Sequence, residues 1–216
     1  MDKYFASVVE KHAREMPDKI AIIDDGGREI TWKEFHEDII RVSNSLLALG
    51  LKKGDRIATI MFHSISYYTI FMAAATIGLV VVGLDHRFKI NEAADLCKRT
   101  SPKLIISTKY PVADLLQEVE IPHIYVYQDE VDHPGALPYE KLLEGSLKPI
   151  PEELHPSIED PLIIIFTSGT TGHPKGGMIT HENTWQISKL SCESWEYTSD
   201  DVSLCYLPTS HVGGTH

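Results

Sequence analysis

Residues 162–181 read Leu-Ile-Ile-Ile-Phe-Thr-Ser-Gly-Thr-Thr-Gly-His-Pro-Lys-Gly-Gly-Met-Ile-Thr-His. An apolar run of strand length, Leu162–Phe166, delivers a cluster of hydroxyls, glycines and one lysine into a single turn. The hydroxyls of Thr167, Ser168, Thr170 and Thr171 can each donate to an anionic oxygen. Gly169, Gly172, Gly176 and Gly177 admit positive φ and a close approach of backbone N–H groups to a ligand. Lys175 adds a full positive charge. This is the chemistry of a loop wrapped around a polyphosphate. The competing reading is a hairpin turn with solvated threonines, but an ordinary turn needs only one or two special residues. Pro174 also restricts the backbone ahead of Lys175. The stretch is not a Walker A loop, which requires Gly-Lys followed by Ser or Thr. Here Lys175 lies between Pro174 and Gly176. A nucleotide-binding hairpin of another kind is favoured.

Outward from this loop, the chain alternates strand and helix. Upstream, Tyr4, Phe5, Val8, Val9, His12, Ala13 and Met16 recur at helical spacing up to Pro17. Ile20–Asp24 and Arg28–Thr31 predict a hairpin around Asp25-Gly26-Gly27, and Thr31 with Glu34 predicts a capping box. Phe35, Ile39, Val42, Leu46 and Leu49 line one face of the next helix, which Gly50 closes. Expected strands follow at Ile57–Met61, Leu79–Leu84, Leu104–Ser107 and His123–Tyr127. Expected helices cover Ser64–Ile77, a segment capped by Asn91 and running to Thr100, and Pro111–Val119. A helical turn spans Tyr139–Glu144, and prolines at 149, 151, 156 and 161 mark an irregular connector. Beyond the glycine loop come a short strand Met178–Thr180, a helix over Glu182–Ser194 and a strand Val202–Leu207. This order predicts an α/β fold, a mostly parallel sheet covered by helices on both faces. Residues 1–55 form a helical and hairpin opening segment, and residues 56–216 an α/β subdomain that carries the phosphate loop 167–176. Open α/β sheets bind ligands beyond the carboxyl ends of their strands, which is where the loop falls.

The composition narrows the function. Hydrophobic residues at 43% and charged residues at 24% suit a folded globular chain. A net charge of −11 without a basic cluster disfavours nucleic acid and anionic membrane, and raises the weight on Lys175 as a local cation. No Asp, Glu, Lys or Arg occurs from Ile57 to Leu84. Clustered Ser64, Ser66, Tyr67, Tyr68 and Thr69, and glycines around a Leu-Val-Val-Val run, make a buried strand–helix–strand a better reading than a transmembrane span. Cys97, Cys192 and Cys205 show no CxxC spacing, which suggests reduced thiols in a cytoplasm. Cys97 and Cys205 are expected to be buried, and Trp185 and Trp195 to pack in the core. The eleven histidines show no zinc-ligand spacing.

The run Thr167-Ser168-Gly169-Thr170-Thr171-Gly172-His173-Pro174-Lys175-Gly176 resembles the phosphate-binding signature of the adenylate-forming (AMP-dependent synthetase/ligase) superfamily. Three further segments agree in order: Ile30–Phe35, Leu49–Ala58, and Leu207-Pro208-Thr209-Ser210-His211-Val212-Gly213-Gly214. The resemblance implies the N-terminal part of the large domain of such an enzyme, of the acid–CoA ligase type. The aromatic-Gly-x-Thr-Glu motif, ribose-binding aspartate and C-terminal lid of the family are not found here, so an N-terminal fragment, incompetent alone, is expected. The implied reaction has two steps: a carboxylate attacks the α-phosphorus of ATP, and the acyl-adenylate then meets the thiol of CoA.

By motif matching, Thr167, Ser168, Gly169, Thr170, Thr171, Gly172 and Lys175 would hold the phosphates, and Thr167 would help to place Mg2+. His211 would flank the carboxylate cleft as the catalytic and substrate-binding residue, with Gly213 and Gly214 beside the acyl group. Read without the family, His211 packs at a strand end and the two glycines form a turn. His181 and Asn183 resemble a Thr-His-x-Asn segment and are expected to cap a helix. Two departures stand out: Gly177 where an apolar β-branched residue is common, and Gly83-Leu84-Asp85-His86 where Pro-Leu-Asn-Pro is frequent. Aliphatic acids are favoured as substrate. Self-association through surfaces exposed by truncation is expected. The alternatives are a non-catalytic nucleotide- or anion-binding module, and an adenylation fragment serving a carrier-protein thiol.

Overall fold

A computed structural model describes residues 4–108, 110–127, 133–167 and 174–211. Helix α1 (Ser7–Glu15) leads into a two-stranded antiparallel hairpin, β1 (Ile20–Ile23) and β2 (Glu29–Thr31). Thr31 then caps α2 (Trp32–Ala48): its hydroxyl accepts from the Glu34 N–H at 3.3 Å, and the Glu34 carboxylate accepts from the Thr31 N–H at 2.9 Å. This reciprocal bonding satisfies two of the helix's orphan donors.

Alternation follows: β3 (Arg56–Ile60), α3 (Ile65–Thr76), β4 (Val80–Gly83), α4 (Ile90–Thr100), β5 (Leu104–Ser107), α5 (Val112–Glu118), β6 (His123–Val126) and β7 (Ala136–Pro138). A 3-10 turn (Tyr139–Glu144) and a proline-rich connector lead to β8 (Pro161–Thr167), β9 (Lys175–Thr180) and α6 (His181–Ser194). The seven-stranded sheet has the order β7-β6-β5-β3-β4-β8-β9. Its strands are parallel except for β9, which folds back antiparallel on β8.

Period-two alternation assigns each strand residue to a face. Ile57, Val81, Leu104, Ile106, Ile163 and Ile165 pack toward α2 and α3, with Phe35, Ile39, Leu46, Tyr67 and Ile70. Ala58, Ile60, Val82 and Ile105 pack toward α4 and α5, with Ala93, Leu96, Cys97 and Leu115. Both faces are therefore covered, as the near-continuous apolar runs of a parallel sheet require. The charge-free stretch runs from Ile57 of β3 through α3 and β4, and among the described residues no helix is long and apolar enough to cross a membrane.

Several local expectations are corrected. The cap of α4 is Lys89, whose N–H the Glu92 carboxylate accepts at 2.8 Å; Asn91 lies within the first turn. The short strand β7 is not among the expected strands, and among the described strands it pairs with β6 alone. Residues 202–207 join no ladder, and Val202, Leu204 and Tyr206 are exposed. Their alternation satisfies a strand pattern, but a strand also needs a neighbour's N–H and C=O groups, and none of the described strands supplies them. Cys205 in that segment is exposed, while Cys97 is buried. Trp195 is exposed at the end of α6, and Trp185 is half-buried.

Candidate active site

The carboxyl ends of β3, β4, β5 and β8 lie along one edge of the sheet, as parallel pairing dictates. β8 delivers Thr167 to this edge, and the chain returns in β9 with Lys175 directly opposite Thr167 in the ladder. The Thr167 hydroxyl points across the hairpin to the Lys175 carbonyl at 3.5 Å. Both residues are exposed, and among the described residues no carboxylate pairs with the Lys175 ammonium. Ser168, Gly169, Thr170, Thr171 and Gly172 lie outside the described residues, as do Gly213 and Gly214.

Gly176 has a steric role. A Cβ there would lie 3.1 Å from Phe166 Cε1 and 3.2 Å from Ile164 Cγ2, so its absence lets the two strands close tightly below Lys175. At Gly177 an added Cβ would meet only the Ile165 carbonyl at 3.8 Å, so this departure leaves ordinary space.

The segment 207–211 is seated at the same edge. Thr209, which is buried, donates through Oγ1 to the Met61 carbonyl just past β3 at 2.5 Å, and its own carbonyl accepts from the Tyr67 hydroxyl at 3.3 Å. His63 Nε2 donates to the Leu207 carbonyl, so its Nδ1 accepts from the Tyr68 hydroxyl at 2.8 Å. Burial pushes both tyrosine hydroxyls up, so they remain neutral donors. Gly83, at the end of β4, lies under this segment: a Cβ would fall 3.1 Å from Ser210 Cα. Next to it the Arg87 guanidinium forks onto Asp85 at 2.9 and 2.7 Å and holds its carboxyl down to about 2. Asp85 also accepts from the Ser210 hydroxyl at 3.3 Å. His211 follows, exposed, its N–H closing a turn onto the Pro208 carbonyl at 2.9 Å.

His181 and Asn183 separate in role. The Thr180 hydroxyl caps α6, with Asn183 returning the bond to the Thr180 N–H at 3.2 Å. His181 is the first helical residue, fully buried, and its Nδ1 accepts from the Phe5 N–H at 3.4 Å. It therefore anchors the N-terminal segment and caps nothing. Sequence reasoning did not single out Gly83 and Asp85 as supports of residues 208–211, nor Arg99, which reaches the hairpin from α4. Only the break from Pro-Leu-Asn-Pro marked residues 83–86, and the hairpin residues that Arg99 touches, Phe166 and Pro174, are remote from it in sequence.

Magnesium keeps several waters and substrate phosphate oxygens among its ligands, so it needs few protein groups. Among the described residues no cluster of three His, Cys, Asp or Glu side chains could hold a metal ion. The exposed Thr167 hydroxyl fits the role of one oxygen donor to a metal carried in on phosphates.

A family model described as AMP-binding enzyme matches residues 9–216. A 2-succinylbenzoate–CoA ligase of Bacillus cereus is 29% identical over 206 residues, covering 92% of this chain and 37% of that protein. A protein from Rhodopseudomonas palustris, described as a long-chain-fatty-acid CoA ligase, has a solved structure with a TM-score of 0.88 at 25% identity. That match covers 99% of this chain and 53% of the other. The O-succinylbenzoate coenzyme A synthetase of Bacillus subtilis, solved with ATP and magnesium, has a TM-score of 0.77 at 20% identity, over 96% of this chain and 52% of its own. At that identity the likeness is one of fold. The chain spans well under half the length of the curated relatives it matches.

Proposed function

Because the chain belongs to the AMP-binding enzyme family, we propose that it carries the polyphosphate-gripping part of an ATP-dependent acid–CoA ligase. The observation that supports this most directly is the ladder pair Thr167 and Lys175, which presents at the carboxyl-end edge of the sheet a hydroxyl and an ammonium that no carboxylate pairs with among the described residues. Carboxylates are poor acyl donors because their leaving group is bad, and AMP is a better one. The protein's task in the first step is to orient ATP and offset charge on the departing pyrophosphate. Lys175 offsets that charge, while Ser168, Gly169, Thr170, Thr171 and Gly172 donate to the β and γ oxygens. Thr167 contributes an oxygen to Mg2+, which screens the same phosphates when bound. His211, with Gly213 and Gly214, borders the carboxylate and acyl pocket, and CoA is the acceptor.

The exposed Met178, Leu190 and Trp195 on β9 and α6 support self-association of this chain. Ligand-induced stabilisation tests the phosphate site, because a ligand that binds only the folded state raises Tm. Millimolar ATP with Mg2+ is expected to raise Tm of the 216-residue chain, and Lys175→Ala to remove most of the rise. No shift in the parent chain, or an undiminished shift in the variant, would refute the reading.

A further inference from the structure

Arg99 stands in the last turn of α4, 75 residues before Pro174 in sequence, yet its Nη1 donates to the Pro174 carbonyl at 2.8 Å. Its guanidinium carbon lies 5.6 Å from the centroid of the Phe166 ring, within cation–π range. The Asp95 carboxylate, one turn earlier on α4, sits 3.6 Å from the same Nη1. Phe166 is the ladder partner of Gly176, and its ring fills the space where a residue 176 side chain would go. One guanidinium thus engages both arms of the hairpin from outside it.

The Pro174 contact bears on Lys175. The pyrrolidine ring locks φ of Pro174, so ψ is the one soft backbone dihedral left between that ring and Lys175. The direction of the Pro174 carbonyl reports ψ, and the Arg99 hydrogen bond holds that carbonyl. With both dihedrals held, the chain enters Lys175 along one direction, and the ladder to Thr167 holds it thereafter. Nη1 is the guanidinium nitrogen that both the Asp95 carboxylate and the Pro174 carbonyl engage.

Resting on the reading of Lys175 as the phosphate cation, we propose that Arg99 is a positioning residue that sets the Lys175 backbone for polyphosphate binding. Arg99→Met keeps the aliphatic stem and removes the fork. Arg99→Lys keeps a charge and one donor direction but loses the planar face. Two measurements on the 216-residue chain decide the matter. Hydrogen exchange is followed at the Lys175, Gly176 and Gly177 amides without any ligand, with β3–β5 as internal reference. Calorimetry gives Kd for magnesium pyrophosphate and for magnesium ATP.

In Arg99→Met those of the three amides that point into the β8–β9 ladder exchange faster while the reference strands keep their protection, and both Kd values rise about ten-fold, the scale of one charge-assisted hydrogen bond. Arg99→Lys recovers part of both effects. Unchanged protection at residues 175–177 in Arg99→Met overturns the brace, whatever the affinities do. Faster exchange with affinities kept within two-fold overturns the link to phosphate binding. If the parent chain binds neither ligand, the function proposed above fails, and with it that link, while exchange still decides whether Arg99 holds the hairpin.

Discussion

His181 makes the folded state acid-sensitive over a definable window. It is fully buried, and burial pushes its imidazole down to about 4, with the nearby Lys53 ammonium acting in the same direction and the Asp160 carboxylate opposing. An unfolded chain takes up this proton at about pH 6.5. Between these two values the unfolded state binds the extra proton, so folding stability falls as pH drops from above 6.5 toward 4. The shift caps the loss at about 3 kcal/mol, of which about 2 kcal/mol is lost between pH 7 and pH 5. The assay is urea denaturation at pH 7 and pH 5 of the parent chain and of His181→Asn, whose side-chain oxygen can still accept from the Phe5 N–H. Other titrating groups are common to both proteins, so the difference of differences isolates His181. The parent is expected to lose about 2 kcal/mol more than the variant over that interval. Equal losses in the two proteins would refute the argument, since a buried imidazole that stays neutral in the folded state cannot be removed without changing the pH dependence.

Gly145→Ala would place a Cβ 1.9 Å from the Arg41 carbonyl and 2.6 Å from Ser45 Oγ, against the backbone of α2. Overpacking of this kind should cost about 1–3 kcal/mol, read as a lower urea midpoint with an unchanged slope. Asp85, held down to about 2 by Arg87, contributes stability that is complete above the ordinary carboxylate range and disappears as pH falls through 2. Asp85→Asn should therefore cost about 1 kcal/mol at neutral pH and only a small part of that at pH 2, by chemical denaturation at both values.

The hairpin at 20–31, the Thr31–Glu34 cap and the helices α2 and α3 were legible because each depends on contacts within a few residues. Strand and helix alternation was equally legible, since the short apolar runs of β4, β5 and β8, rich in Val and Ile, suit strands of a sheet buried on both faces. Errors collected where a local pattern needs a distant partner. Residues 202–207 alternate like a strand and pair with no described strand, so Cys205, expected inside, is exposed. Asn91 is a good capping type, but the N–H that the first turn satisfies belongs to Lys89, two residues earlier.

By itself the sequence determined the fold class and the set of functional groups in the loop, because hydropathic period and the run of hydroxyls, glycines and lysine are properties of neighbouring residues. Tertiary structure alone decided which strands lie side by side: β3 between β4 and β5, and β8 next to β4. That order brings residues 207–211 over Gly83 and sets Arg99 of α4 against Pro174. Such contacts join side chains to backbone carbonyls that are far apart in the chain. A carbonyl is the same in every residue, so no residue type announces them.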